Sequence, residues 1–204
     1  MGWITATALF LQISVQMGTP ILFGTLGGIL GEKTGNLNLG VEGMMIMGAA
    51  VGFKVALVTA NPWLAVLAAG IAGALGALIY CIVTVTFKGN QTVTGLALTI
   101  FGTGFAGMLG KSMSGVSLPQ PVLDTFAAYD VPGLSKIPIL GEAFFQQSIY
   151  VQIAPILAVL IYFFIKKTRI GLNMRAVGEN PAAADASGIN VNRYKYLSLL
   201  AGGF

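Results

Sequence analysis

The sequence predicts an all-α fold: a polytopic membrane helix bundle with a broken-helix, re-entrant region and a short helix on the cytoplasmic side. Three observations predict it. The 204 residues are 55% hydrophobic and only 9% charged, whereas a soluble domain carries about 25% charged residues. Mean hydropathy is +0.82. Residues 1–31, 55–87, 89–110 and 143–165 hold no charge at all, and about 20 apolar residues suffice to cross a bilayer. A soluble enzyme, a nucleic-acid binder and a disordered tail are excluded together. One transmembrane domain over 1–204 is expected.

The first apolar stretch, Trp3 to Leu30, is interrupted by Gly18, Thr19 and Pro20. Proline removes a backbone donor, so either a lead-in precedes a spanning helix over Pro20–Leu30, or one long helix kinks there. Met1, Gly2 and Trp3 lack the cationic start of a secretory signal, so this stretch is expected in the mature protein. A second helix spans Met44–Ala60 and stops at Asn61 and Pro62. Trp63–Phe87 forms a third, Val93–Gly110 a fourth, and Ile149–Ile165 a fifth with Pro155 inside it. Residues 111–148 are a polar connection with Pro119, Pro121, Pro132 and Pro138. The last apolar stretch, Tyr196–Phe204, is too short to span, which marks the sequence as a fragment of a longer protein.

Basic residues set the orientation. Lys33, Lys88, Lys166, Lys167, Arg169, Arg175, Arg193 and Lys195 fall on one side of the alternating connections, and Lys111 and Lys136 on the other. The richer side is cytoplasmic by the positive-inside rule. Lys54 lies within a helix, roughly 12 Å of rise from Pro62. It either snorkels outward or serves a solute pathway.

Further counts remove whole classes of chemistry. With no His and one Cys, Cys81, the chain offers no His-based catalysis, thiolate cluster or intrachain disulfide. No cofactor is expected. Gly102, Gly104 and Gly107 fit G-x-G-x-x-G, but a dinucleotide site needs a preceding strand; here small residues that let membrane helices approach are the expected reading. Gly110, Lys111 and Ser112 end like a phosphate-binding loop, yet its first glycine would fall on Phe105. The chain is therefore not itself an ATPase. Gly24/Gly28, Gly27/Gly31, Gly48/Gly52 and Gly70/Gly73/Gly76 line helix faces for close packing.

Two stretches carry more information. Gly35 to Gly43 holds three glycines and two asparagines between two membrane helices, and makes a poor helix. Non-helical backbone at that depth is either a transport site offering amides and helix ends, or a plain cytoplasmic loop with Glu42 favouring the next helix dipole. Asn180 to Gly188 reads as a complete small helix, with Asn180 as N-cap, Pro181 at the first position and Gly188 as the stop. It is too short to stand alone in water. Either a partner subunit docks on it, or it lies on the bilayer, for which its alanine face is a weak anchor.

Together these stretches resemble one family. Glu32, Gly35, Asn38, Leu39, Gly40, Glu42, Gly43, Met44 and Met45 match the E-x-x-G-x-x-N-[IL]-G-x-E-G-M-M segment of bacterial ABC importer permeases for nucleosides, simple sugars and branched-chain amino acids. Arg169 to Pro181, with Ala183, Ala184 and Gly188 to Val191, is similar to that family's cytoplasmic coupling loop, here residues 166–195. The glutamate-containing form leans toward nucleoside uptake. The resemblance implies a multi-pass permease of the bacterial inner membrane, partnered by an ABC ATPase subunit, a second permease subunit and an external substrate-binding protein, with no nucleic acid. It implies coupling residues Arg175, Glu179, Asn180, Ala183, Asp185 and Gly188. The pathway expectation falls on Asn36, Asn38 and Glu42, with Gln91 and Thr94 after the helix break at Gly89. Rival readings are a sugar or amino-acid importer of the same family, or a secondary transporter or channel needing no ATPase.

Overall fold

A computed structural model describes residues 2–130 and 141–204. Pro132, Lys136 and Pro138 of the expected outer connection lie outside the described residues. Five long helices dominate: α1 (Gly2–Glu32), α2 (Val41–Thr59), α3 (Pro62–Cys81), α4 (Gln91–Gly110) and α6 (Ile149–Lys167), with the short α5 (Gln120–Thr125) before α6. All five long helices are long and apolar enough to cross a membrane. Helices α7 (Arg169–Glu179), α8 (Pro181–Ala186) and α9 (Val191–Gly203) follow. One two-residue antiparallel pair, Tyr129–Asp130 with Gln146–Gln147, is the sheet found among the described residues.

Pro20 sits inside α1 without ending it, so the long-helix alternative holds. Asparagines start several elements as N-caps. Asn61 Oδ1 accepts from the N–H groups of Trp63 and Leu64 at 3.0 and 3.2 Å, and Asn90 and Asn190 cap α4 and α9 in the same way. Each satisfies donors that a helix start otherwise leaves orphaned. α3 passes into a π-helical turn, Ile82–Thr86, whose Thr86 Oγ1 lies 2.5 Å from Tyr196 Oη on α9.

The core forms where glycines remove side chains between helices. A Cβ on Gly48 or Gly52 of α2 would press on the backbone carbonyls of Ala69 or Ala65 of α3. α9 threads its last turn between α1 and α3: a Cβ on Gly27 would meet the Gly202 carbonyl, and one on Gly73 the Gly203 carbonyl. Met44, Ala77, Tyr80, Leu98 and Leu199 close the apolar centre among α2, α3, α4 and α9.

Two expectations need correction here. Only Gly102 of the G-x-G-x-x-G run makes a helix contact, against the backbone of Gly43; Gly104 and Gly107 face open space. Gly28 likewise faces open space, while its neighbour Gly27 is packed. A small residue permits approach, but only the tertiary arrangement supplies something to approach. The second correction concerns residues 166–195, expected as a polar loop with one small helix. They contain α7, an 11-residue helix started by Thr168, whose Oγ1 accepts from the Gly171 N–H at 3.0 Å. Buried Gly171, Met174 and Val177 give it one packed face.

At the end of the bundle away from α7 and α8, Val122 of α5 packs on Ala56 and Ala65, and Phe126 stacks on Tyr150. Lys54 Nζ donates to Ser112 Oγ just beyond α4 at 3.3 Å, so its ammonium reaches outward as snorkelling requires.

Candidate functional site: the inner hub

The link between α1 and α2 is the most heavily held piece of non-helical backbone. Its eight residues, 33–40, are hydrogen-bonded by two spans, α3 and α4. Tyr80 Oη of α3 donates to the Leu37 carbonyl at 2.7 Å. Thr99 Oγ1 of α4 donates to the Leu39 carbonyl at 3.0 Å. Gln91, at the start of α4, accepts from the Leu37 N–H at 2.7 Å and donates to the Gly35 carbonyl at 3.4 Å. Backbone polar groups away from water need partners, and here the side chains of neighbouring helices provide them.

The link also holds itself. Asn38 Oδ1 accepts from the Gly40 N–H at 2.8 Å, a local turn that asparagine favours. Asn36, 2% exposed, donates from Nδ2 to Thr34 Oγ1 at 2.9 Å. Thr34 Oγ1 in turn lies 2.8 Å from Ser198 Oγ on α9. Gly35 adopts φ +79, the left-handed region open to glycine at little cost.

The 166–195 segment closes on the same link. A Cβ on Gly178 of α7 would meet the Lys33 carbonyl at 2.4 Å, so α7 rests directly on the backbone of residues 33–35. Asn173 Nδ2 of α7 donates to Tyr194 Oη of α9 at 2.7 Å. Leu30, Ile165 and Met174 pack the ends of α1, α6 and α7 together. The two stretches singled out in the sequence, 153 residues apart at their extremes, are thus one structural unit at the base of the bundle.

α8 has the form expected of it. Asn180 Oδ1 accepts from the Ala183 N–H at 3.0 Å. At the other end the N–H groups of Gly188 and Ile189 donate to the carbonyls of Asp185 and Ala184, with Gly188 at φ +82. That is the Schellman closure. Ala184 is buried, while Pro181, Ala182, Ala183, Asp185 and Ala186 are exposed. The helix therefore grips the body through one methyl and presents the rest outward.

Of the residues singled out for a pathway, Asn36, Asn38 and Gln91 come together in the hub, and each spends its hydrogen bonds on the link backbone or its partners. Glu42 is exposed in the first turn of α2, where its charge suits the helix N-terminus. Thr94 donates to the Asn90 carbonyl within its own helix. Of the coupling residues, Asn180, Ala183, Asp185 and Gly188 lie on or around α8. Arg175 and Glu179 lie on α7, with Glu179 exposed and Arg175 half-buried; the Arg175 Nε is buried without a hydrogen-bond partner among the described residues. Sequence reasoning missed Thr34, Tyr80, Thr99, Gly178 and Ser198. Isolated hydroxyls in apolar runs were their available signal, and a hydroxyl that caps a distant backbone looks no different in sequence from one bonded within its own helix.

The family of branched-chain amino acid transport system / permease components matches residues 10–204. The chain belongs to that family. As a member of it, the chain is a multi-pass inner-membrane protein, with five helices long and apolar enough to cross a membrane. This permease-family chain is 35% identical over its whole length to a guanosine ABC transporter permease protein of Bacillus subtilis, spanning 66% of that relative. It is 36% identical over 95% of its length to a putative glucose ABC transporter permease protein of Haloferax volcanii, spanning 58% of it. It is 35% identical over 91% of its length to a nucleoside ABC transporter permease protein of Lactococcus lactis, spanning 60% of it. The chain thus spans less than two thirds of these relatives' lengths. No solved structure gives a significant match.

Proposed function

We propose that the chain is the membrane-spanning permease of an ATP-binding-cassette importer and moves a small polar solute, a nucleoside, into the cytoplasm. Hydrolysis belongs to a separate ATPase subunit. A second permease subunit and an external substrate-binding protein complete the assembly in this reading. The observation that carries it is the placement of α8: an exposed alanine helix held by α7, which itself rests on the 33–35 backbone. A push on α8 is thereby delivered to the link that joins α1 to α2 and is bonded to α3, α4 and α9.

In this reading Arg175, Glu179, Asn180, Ala183, Asp185 and Gly188 form the coupling surface. Asn36, Asn38, Glu42, Gln91 and Thr94 form the inner mouth of the path, where Asn36, Asn38 and Gln91 act by fixing the backbone that moves. Two of the three relatives described above carry guanosine or nucleoside in their names, which favours a nucleoside over a sugar. A secondary transporter would leave the outward face of α8 without a use.

The full-length chain, purified with the ATPase subunit encoded beside it and reconstituted in liposomes, should take up guanosine only with ATP. Uptake by the permease alone, without nucleotide, would show a secondary transporter instead. Asn38→Leu removes the bond to the Gly40 N–H. It should lower ATP-driven uptake about 3- to 10-fold, the worth of about 1 kcal/mol of hydrogen bonding, while the ATPase subunit still copurifies. Normal transport kinetics would count against a role for this residue.

A further inference from the structure

A cavity of about 870 Å³ lies among α1, α2, α3, α6 and α9, within the range of about 300–1,000 Å³ typical of small-molecule sites. On α1 it is lined from Gln16 to Leu30, a rise of roughly 21 Å through most of a membrane's apolar thickness. Its inner end meets Met44, just past the hub. Its outer half holds the side chains of Gln16, Thr19, Ser148 and Tyr150.

Three of these four have no hydrogen-bond partner among the described residues. Thr19 donates to the Val15 carbonyl of its own helix. The Gln16 amide and the Ser148 and Tyr150 hydroxyls make no such bond, and Ser148 is more than nine-tenths buried. Pro20 adds to this polarity, since it has no N–H to offer the Gln16 carbonyl four residues earlier. Gln16 and Tyr150 are exposed, so their polar groups are free to meet a solute, and with Ser148 they converge on one cavity. Gln12, one turn from Gln16, donates to the Gln146 carbonyl at 3.2 Å, and this bond fixes α1 beside the start of α6. The Tyr150 ring is stacked on Phe126 with centroids 4.9 Å apart, so its hydroxyl is pre-positioned. Phe23 and Phe204 add aromatic faces to the wall.

We propose that this cavity binds an uncharged, hydroxyl-bearing solute, with Gln16, Ser148 and Tyr150 as its hydrogen-bonding contacts. No charged residue is among the described residues that line it. A zwitterionic amino acid, whose two charges would need partners in so apolar a setting, is excluded, while a nucleoside or a sugar fits. The aromatic faces favour the flat base of a nucleoside. The transport direction and ATP dependence of the site rest on the importer reading; the binding itself does not.

The test uses Gln16→Cys in the full-length chain, whose native Cys81 is fully buried and serves as the unlabelled background. The introduced thiol should react with a small water-soluble methanethiosulfonate. Guanosine or glucose should slow labelling about tenfold and leucine should not, the stronger of the two protectors telling nucleoside from sugar. Gln16→Leu should raise the half-saturation concentration for the protecting solute about tenfold, with Gln16→Asn recovering part of it. An unreactive thiol, protection by leucine, or a Gln16→Leu half-saturation equal to the parent's overturns the proposal. Protection without any ATP-dependent uptake supports the site and sinks the importer reading. ATP-driven uptake without protection does the reverse.

Discussion

Ala183→Arg in the full-length chain should abolish ATP-driven uptake while leaving the permease folded and inserted. The Ala183 side chain is exposed on α8. Its backbone N–H receives the Asn180 cap and its carbonyl accepts from Ser187, and a longer side chain disturbs neither bond. Arginine is also a good helix former. What the variant changes is the outward surface, where a bulky cation would occupy the centre of the proposed ATPase contact. Loss at the centre of such an interface costs about 2–4 kcal/mol, a weakening of about 30- to 1,000-fold. Copurification of the ATPase subunit and uptake per ATP hydrolysed are the measurements. Ala184→Arg separates surface from scaffold: Ala184 is 4% exposed, so that variant should unseat α8 itself and lower thermal stability. Unimpaired uptake by Ala183→Arg sinks the coupling role of α8.

Gly27→Leu should strongly destabilise the bundle, and Gly28→Leu should leave it nearly unchanged. The two glycines are adjacent and share composition, helix and depth. A Cβ on Gly27 would sit 2.2 Å from the Gly202 carbonyl oxygen, and the contact is mutual, for a Cβ on Gly202 would meet the Gly27 carbonyl. Neither partner is a flexible side chain, so α1 and α9 must separate. Overpacking of this type costs about 1–3 kcal/mol or more. A Cβ on Gly28 meets nothing within 4 Å; there the change should stay within about 0.5 kcal/mol. Thermal unfolding of the two variants in the same detergent compares them directly. Equal melting temperatures would refute the α1–α9 contact.

The helical spans and the bracketing of α8 were legible because each rests on consecutive residues. Long runs without charge form the spanning-length helices, and Asn180 with Gly188 brackets α8 whatever packs nearby. α7 was not legible, because Gly171, Asn173 and Gly178 lower its helix propensity. Its helix is stabilised by Gly171 against the end of α6, Met174 against Leu30 and Ile165, and Gly178 against the 33–35 link.

What the sequence determined by itself, then, is the solvent, the number of apolar helices long enough to span and the presence of two unusual polar stretches. Tertiary structure alone decided that these stretches are one hub, that Gly27 and Gly102 are contacts while Gly28 and Gly104 are not, and that Gln16, Ser148 and Tyr150 line a common cavity. The physical reason is range. Propensity, capping and hydropathy act within a few residues, whereas a close backbone approach or a shared cavity depends on neighbours far along the chain, Gly43 for Gly102 and Gly202 for Gly27.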